Sequence, residues 1–124
     1  MTKMVSSNLN KYFNNQQTYT STELTIAIST TTSGAISLET KGLVGILMPA
    51  AFTGTVLTFS GSPDGTTYGN LYNADNTAYS ITVAVDRFYM LNPADFLGAS
   101  YVKIVSGSTE AAARILSVIT RNFV

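Results

Sequence analysis

Three residue types that often carry chemistry or cross-links are missing, because none of the 124 residues is cysteine, histidine or tryptophan. Without cysteine there are no disulfides, no thiolate metal ligands and no thiol nucleophile. Without histidine the commonest general base and metal ligand near neutral pH is absent, so the serines lack the usual partner of a nucleophile. These absences predict a protein that is not an enzyme and that binds no cofactor and no metal.

Charge is also scarce. Charged residues make up 11% of the chain, against roughly 25% in a typical soluble domain. The seven basic side chains are scattered and are balanced by seven acidic ones, so the clustered cations that nucleic-acid binding requires are missing. Serine, threonine and asparagine supply the polarity instead, and their neutral groups are easier to desolvate than charges. This composition favours a surface that packs against copies of itself or other proteins.

Long hydrophobic runs are lacking as well. No segment approaches the ~20 continuous apolar residues of a membrane span, and the N-terminal residues have no apolar region of the kind found in a secretory signal. We therefore expect no membrane partner and assembly in a reducing cytoplasm. A chain of 124 residues is long enough to form one domain with a proper core.

Three short apolar runs organise the middle of the chain: Ala35–Leu38, Leu43–Met48 and Val56–Phe59. Each is bounded by Gly, Pro, Ser or Thr, which is typical of strands. Leu43–Met48 is apolar at nearly every position, so neither of its faces suits water. We expect it to lie under a second layer or a neighbouring subunit. Ile115–Ile119 has the same two-sided apolar character.

The remaining pattern predicts an all-β domain over residues 23–124. Strands recur at roughly 8–12-residue spacing, and helical periodicity is absent over any useful length. The predicted strands are Glu23–Ser29, Ala35–Glu39, Leu43–Met48, Val56–Gly61, Thr67–Asn73, Ala78–Val85, Arg87–Leu91, Tyr101–Val105 and Ala113–Thr120. Asn92–Gly98 is predicted as a helical turn with Asn92 as its cap. The expected architecture is a single antiparallel β-sandwich, jelly-roll-like, of about eight or nine short strands.

Residues 1–22 differ from the rest in being polar, rich in Asn and Gln, and sparsely apolar. Two interpretations stay open. One is a frayed terminus, because such a segment buries too little area to offset its ordering entropy. The other is an extended arm that binds a neighbouring molecule, with Leu9, Tyr12, Phe13 and Tyr19 as its partner-binding residues. The Tyr12–Phe13 pair favours the arm, because a linker does not need it.

Candidate chemical groups occur mainly in turns. The four aspartates Asp64, Asp75, Asp86 and Asp95 each lie in or beside a predicted turn, where Asp is common for its hydrogen bonds to the backbone. The oxygen ligands around Asp64 and Asp75 do not have the spacing of a calcium loop. Five tyrosines offer rings on which a sugar could stack, although half-exposed strand positions commonly hold tyrosine. They are Tyr68, Tyr72, Tyr79, Tyr89 and Tyr101.

Residues 32–68 and 92–121 together resemble a group of short structural proteins of tailed bacteriophages. The similarity lies in TSGAISL, the LVGILMP run, TGTVLTFSGSPDGTTY, and NPADFLGASYVKIVSGS before a strand that ends in TR. It covers about the last three quarters of the chain and contains no catalytic signature. The resemblance implies a virion structural protein, and it assigns no functional residue.

The sequence therefore favours a capsid cement or decoration protein of a bacteriophage. Such a protein would stabilise the head through contacts between its own copies, as a homo-oligomer such as a trimer, and with the major capsid protein. It would be located in the virion after assembly in the host cytoplasm. One alternative is a carbohydrate-binding module of a tail or head fibre, with a glycan as partner. Another is a structural component of the tail or neck.

Overall fold

A computed structural model describes residues 19–123 of the chain. Within this range the chain forms nine strands and one short 3-10 helix. The strands are β1 (Tyr19–Ile26), β2 (Thr32–Ser37), β3 (Lys41–Leu47), β4 (Val56–Ser62), β5 (Gly69–Asn70), β6 (Ser80–Thr82), β7 (Phe88–Met90), β8 (Tyr101–Ser106) and β9 (Arg114–Asn122). The helix is Pro93–Phe96, between β7 and β8. The all-β prediction is confirmed.

All nine strands belong to one antiparallel sheet with the order β5-β4-β8-β2-β1-β9-β3-β7, and β6 also pairs with β4. The sheet curls into a half-barrel. Strands β1 and β2 are joined by a single residue pair, Ile26 with Ser33. Strand β1 then pairs along its whole length with β9, while β2 pairs with β8. A curled sheet encloses its own core, which explains how short strands form a domain without helical layers.

The core fills the concave side of the sheet with alternate residues of each strand. It includes Ile26 of β1, Ile46 of β3, Ile104 of β8 and Val118 of β9, all fully buried. At one end of the core the rings of Phe59, Tyr79 and Phe96 pack edge-to-face against one another. Their centroids lie 5.3–5.6 Å apart, which is a favourable aromatic geometry. The 3-10 helix thus contributes to the core by placing Phe96 in this cluster.

The 3-10 helix forms as the sequence predicts. The side-chain oxygen of Asn92 accepts a hydrogen bond from the Ala94 N–H at 3.1 Å, and Pro93 occupies the first helical position. A cap of this kind satisfies a backbone donor that the helix itself leaves free. The chain is thereby turned from β7 towards β8.

The prediction that Leu43–Met48 is buried on both faces is only partly correct. Leu43, Ile46 and Met48 are buried in the core, whereas Leu47 lies on the opposite face and is 43% exposed. Ile115 of β9 is likewise 49% exposed. Within residues 19–123 no second layer covers this side.

The first strand is shifted relative to the prediction. Strand β1 begins at Tyr19 and ends at Ile26, so residues 19–22 of the predicted arm belong to a strand that pairs with β9. Ile28 belongs to the predicted strand Glu23–Ser29, but it lies beyond the end of β1 and is 60% exposed. The strand ends before it because Ser29 has a positive φ of 65°, which turns the chain towards β2. The other predicted arm residues, Leu9, Tyr12 and Phe13, lie outside the described residues.

Candidate interaction surface

The convex side of strands β7, β3, β9 and β1, opposite the core, is called the outer face below. Residues that are paired in neighbouring antiparallel strands point to the same side of a sheet, so the register defines rows of adjacent side chains. One row consists of Phe88, Leu47, Ser117 and Glu23. The next row consists of Met90, Gly45, Ile119 and Ser21. Each row crosses all four strands.

The outer face collects most of the large hydrophobic side chains that are exposed. Among residues 19–123 there are nine such side chains, and six of them belong to β1, β3, β7 and β9 or directly follow β9. The six are Tyr19, Leu47, Phe88, Met90, Ile115 and Phe123. Single exposed hydrophobic residues are ordinary, but a group concentrated on one face is typical of an interaction site. The outer face is therefore the best candidate for contact with another molecule.

A groove runs across the outer face. It is lined by Tyr19, Ser21, Phe88, Ile119 and Arg121, from strands β1, β7 and β9. The Arg121 guanidinium lies 5.4 Å from the centre of the Tyr19 ring, which is within the range of a cation–π interaction. The groove thus has aromatic and aliphatic walls with one cation at its side.

Gly45 allows the aromatic ring of Phe88 to lie close to strand β3. A Cβ atom at position 45 would be only 2.6 Å from Cε1 of Phe88. Any side chain there would have to push the ring away. The glycine therefore helps to place Phe88, which is 52% exposed, beside the groove.

Tyr19 is the one predicted partner-binding residue that the structure describes. It lies on the outer face at the start of β1 and lines the groove. Sequence reasoning missed the contributions of Phe88, Met90 and Ile119, because the pattern of each strand alone does not show which strands are adjacent. The alternation within RFYML and RILSVITR is the signal that places these residues on one face.

The described part of the chain also contains one buried carboxylate, Glu110, between β8 and β9. Its side chain is fully buried. Four groups donate hydrogen bonds to it at 2.8–3.0 Å: the backbone N–H groups of Thr53 and Gly54, the Ser106 hydroxyl and the Arg114 guanidinium. Glu110 therefore ties the loop before β4 to the loop before β9.

Two opposing effects determine the pKa of Glu110. Burial raises the pKa, while the hydrogen bonds from Thr53, Arg114, Ser106 and Gly54 lower it, and the net result is a pKa of about 2. The carboxylate is thus ionised at neutral pH and is fully occupied by its donors. That arrangement suits a structural role, because a general base needs an accessible lone pair and a pKa near the working pH. Sequence reasoning did not identify Glu110, because Thr53 and Gly54 lie far from it in the chain.

Two of the four aspartates, Asp64 and Asp75, form the turn hydrogen bonds that their positions predict. Asp64 accepts hydrogen bonds from the N–H groups of Thr66 and Thr67, and these lower its pKa. Asp75 accepts hydrogen bonds from the hydroxyl and the N–H of Thr77, which lower its pKa in the same way. Both carboxylates therefore stabilise turns.

The fourth aspartate, Asp95, accepts a hydrogen bond from the Tyr79 hydroxyl at 2.9 Å. Burial, together with Asp95, raises the pKa of Tyr79 to about 12. Tyr79 therefore stays protonated and links the 3-10 helix to the segment before β6.

The five tyrosines considered for sugar stacking occupy different environments. Tyr72 is exposed, while the other four are partly buried. Tyr68 has the Lys103 ammonium 4.2 Å from its ring centre, and the hydroxyl of Tyr89 accepts a hydrogen bond from the Ala84 N–H. The ring of Tyr101 fills the space above Gly65, whose φ is +83°. Each of these contacts gives the ring a structural role.

Within residues 19–123 no cluster of three or more acidic, histidine or cysteine side chains is arranged to hold a metal ion. The same range contains no helix of the length and apolarity needed to cross a membrane. No protein-family model matches the chain, and no curated protein matches it. The resemblance to phage structural proteins accordingly stays a prediction.

Proposed function

We propose that this chain is a bacteriophage virion structural protein of the capsid cement or decoration type. It stabilises the head through contacts between its own copies and with the major capsid protein, and it resides in the virion. The observation that supports this proposal best is the concentration of exposed hydrophobic residues on the outer face. A protein that works by contact needs such a surface and needs no catalytic groups.

The chemistry of the outer face suits lasting protein contact. Its rows combine Leu47, Phe88, Met90 and Ile119 with small or neutral residues such as Ser117. Burying apolar area is worth about 25 cal/mol per Å², and neutral hydroxyls lose less on desolvation than charges do. The burial of apolar area favours binding through this face, and the neutral hydroxyls keep the desolvation cost low.

The finer architecture belongs to the same proposal. In the proposed jelly-roll-like sandwich, the two halves of the curled sheet form the two layers that face each other. These halves are β1-β9-β3-β7 and β2-β8-β4-β5. The predicted arm of residues 1–22, with Leu9, Tyr12, Phe13 and Tyr19, would extend this contact to a neighbouring subunit. We propose a homo-oligomer as the assembled form.

The test is a particle-binding experiment. Heads lacking this protein are mixed with the purified chain, and bound protein is measured after sedimentation, together with the temperature at which the heads release DNA. The proposal expects binding and a higher release temperature. The variant Leu47→Asp, which places a charge on the outer face, should bind at least about tenfold more weakly.

A matched control has its charge on a different surface. Ile28 is exposed beyond β1, so Ile28→Asp should bind heads as the unchanged protein does. Absence of binding by the unchanged chain, or equal loss with both variants, would refute the role of the outer face in cementing heads.

The other two predicted functions, a sugar-binding fibre module and a tail or neck component, are distinguished by two further measurements. A fibre module would bind sugars on a glycan array and would not bind heads lacking the protein. A tail or neck component would bind at a single vertex of the particle in electron micrographs. Cement binds over the whole head surface.

A further inference from the structure

Strand β7 forms one edge of the sheet, and in residues 19–123 its only partner strand is β3. The Leu91 N–H, next to β7, donates a hydrogen bond to the Val44 carbonyl at 2.9 Å. In an antiparallel ladder the residues that bond to a neighbour alternate with residues that face away from it. The N–H and C=O groups of Phe88 and Met90 therefore point to the open side of β7.

This edge has little protection against pairing with another strand. Natural edge strands are usually shielded by charges, proline or a covering segment. The side chains beside these free backbone groups are instead Phe88 and Met90, and Met90 is 70% exposed. The strands on the opposite edge, β5 (Gly69–Asn70) and β6 (Ser80–Thr82), are as short as β7 but carry mostly polar residues. The two edges thus differ, and β7 is the one suited to association.

We propose that two copies of this chain pair antiparallel through β7, around a two-fold axis at Tyr89, so that their sheets become one. This inference rests on the proposed function, since it specifies one contact between copies. In this register Phe88 of each copy lies opposite Met90 of the other. Both pairs are of the hydrogen-bonded type, so the four free N–H groups of the two edges each find a carbonyl.

The register follows from the residues that flank β7. An axis centred on Phe88 would bring Asp86 into the ladder, but Asp86 has a positive φ of 59° and is not extended. An axis centred on Met90 would require the backbone of Asn92, whose carbonyl already accepts a hydrogen bond from the Asp95 N–H at 3.1 Å. The axis at Tyr89 involves only extended residues.

The side chains and charges of the two edges are compatible with this pairing. Each Phe88 ring would meet a Met90 thioether, a favourable sulfur–aromatic contact. Arg87 would lie opposite Leu91 of the second copy, so no like charges face each other. The association is isologous and closes at two copies. It also joins the two outer faces into a larger apolar surface.

The first test uses complementary charges, and its readout is molar mass by sedimentation equilibrium at protein concentrations up to about 1 mM, the range of weak dimers. The unchanged chain should form dimers. Phe88→Glu alone and Met90→Lys alone should each weaken dimerisation at least about tenfold. A mixture of the two variants should form a heterodimer, because the carboxylate of one faces the ammonium of the other.

The matched control is Leu97→Lys, at an exposed hydrophobic residue that ends the 3-10 helix and is not part of β7. It should dimerise as the unchanged chain does. A monomeric unchanged chain would overturn the inference. Failure of the two charge variants to form a heterodimer, when each is folded by circular dichroism, would also overturn the proposed register.

The second test exploits the absence of cysteine from the chain. Hydrogen-bonded antiparallel pairs have Cα atoms about 5.5 Å apart, a distance that a disulfide spans. Mixing Phe88→Cys with Met90→Cys under mild oxidation should give a cross-linked dimer. Either variant alone should cross-link at least about fivefold more slowly, because its two cysteines are offset along the strands. Equal rates would contradict the pairing.

The dimerisation tests and the head-binding test can fail independently of each other. Heads that bind a monomeric chain would refute the β7 pairing and leave the cement role intact. A chain that dimerises through β7 but binds no heads would refute the cement role alone.

Discussion

Ile46 and Leu47 are neighbours in β3 but face opposite sides of the sheet: Ile46 is fully buried, while Leu47 is 43% exposed. Ile46 pairs with Val118 of β9 on the core side, and Leu47 pairs with Ser117 on the outer face. One strand therefore serves both the core and the candidate interaction surface. The two residues offer a matched pair of positions at which folding and assembly can be separated.

The first prediction uses this pair. Ile46→Asp should destabilise the fold by more than about 4 kcal/mol, because it places an unpaired charge in the core. Leu47→Asp should change the free energy of unfolding by less than about 1 kcal/mol, because its side chain reaches water. Urea denaturation measures both. Similar losses for the two variants would show that Leu47 is buried in the isolated chain.

The second prediction concerns the buried carboxylate. Glu110→Ala should destabilise the fold by roughly 3–5 kcal/mol, because it leaves the Arg114 guanidinium and the N–H groups of Thr53 and Gly54 without their acceptor. The exposed Glu23 is the control, and Glu23→Ala should stay within about 0.5 kcal/mol of the unchanged chain. A small effect of Glu110→Ala in urea denaturation would mean that the two loops are held together by other contacts.

The third prediction is a loss of stability in acid. The folded-state pKa of Glu110 is about 2, against an ordinary value of 4.5. Its stabilising contribution is therefore complete above pH 4.5 and is lost as the pH falls from 4.5 towards 2. Linkage makes this contribution about 3 kcal/mol. The lowered pKa values of Asp64 and Asp75 act in the same direction.

Unfolding free energies measured between pH 6 and pH 2 test this dependence. Glu110→Gln cannot titrate at this position, so its stability should fall less steeply below pH 4.5. If the variant and the unchanged chain lose stability in parallel, the acid sensitivity comes from other carboxylates.

The fourth prediction concerns the N-terminal boundary. Removing residues 1–18 should leave the free energy of unfolding unchanged within about 0.5 kcal/mol, because it retains all of β1 (Tyr19–Ile26) and its pairing with β9. Removing residues 1–22 should cost roughly 2–4 kcal/mol, because it also deletes the pairing of Tyr19–Thr22 with β9. The shorter deletion should still weaken binding to heads if the arm contacts a neighbour. A large loss of stability on removing residues 1–18 would contradict the arm.

The sequence by itself determined the class of the fold and the position of most elements. Short apolar runs between turn residues predict strands because a strand alternates its faces every two residues. This rule correctly located β2, β3, β4, β8 and β9, and the Asn92–Pro93 signal located the 3-10 helix. The absences of cysteine and histidine likewise follow from the sequence alone.

Only the tertiary structure decided which strands are neighbours and which apolar faces stay uncovered. The contacts that bring Phe88 beside Gly45, or Glu110 to Thr53, join residues far apart in the chain, and local patterns hold no information about such pairings. The curl of the sheet uses the inner side of β3 and β9 for the core and leaves Leu47 and Ile115 outside. The sequence predicted two buried faces because both faces of these strands carry apolar residues. Within residues 19–123 the fold buries only one of them.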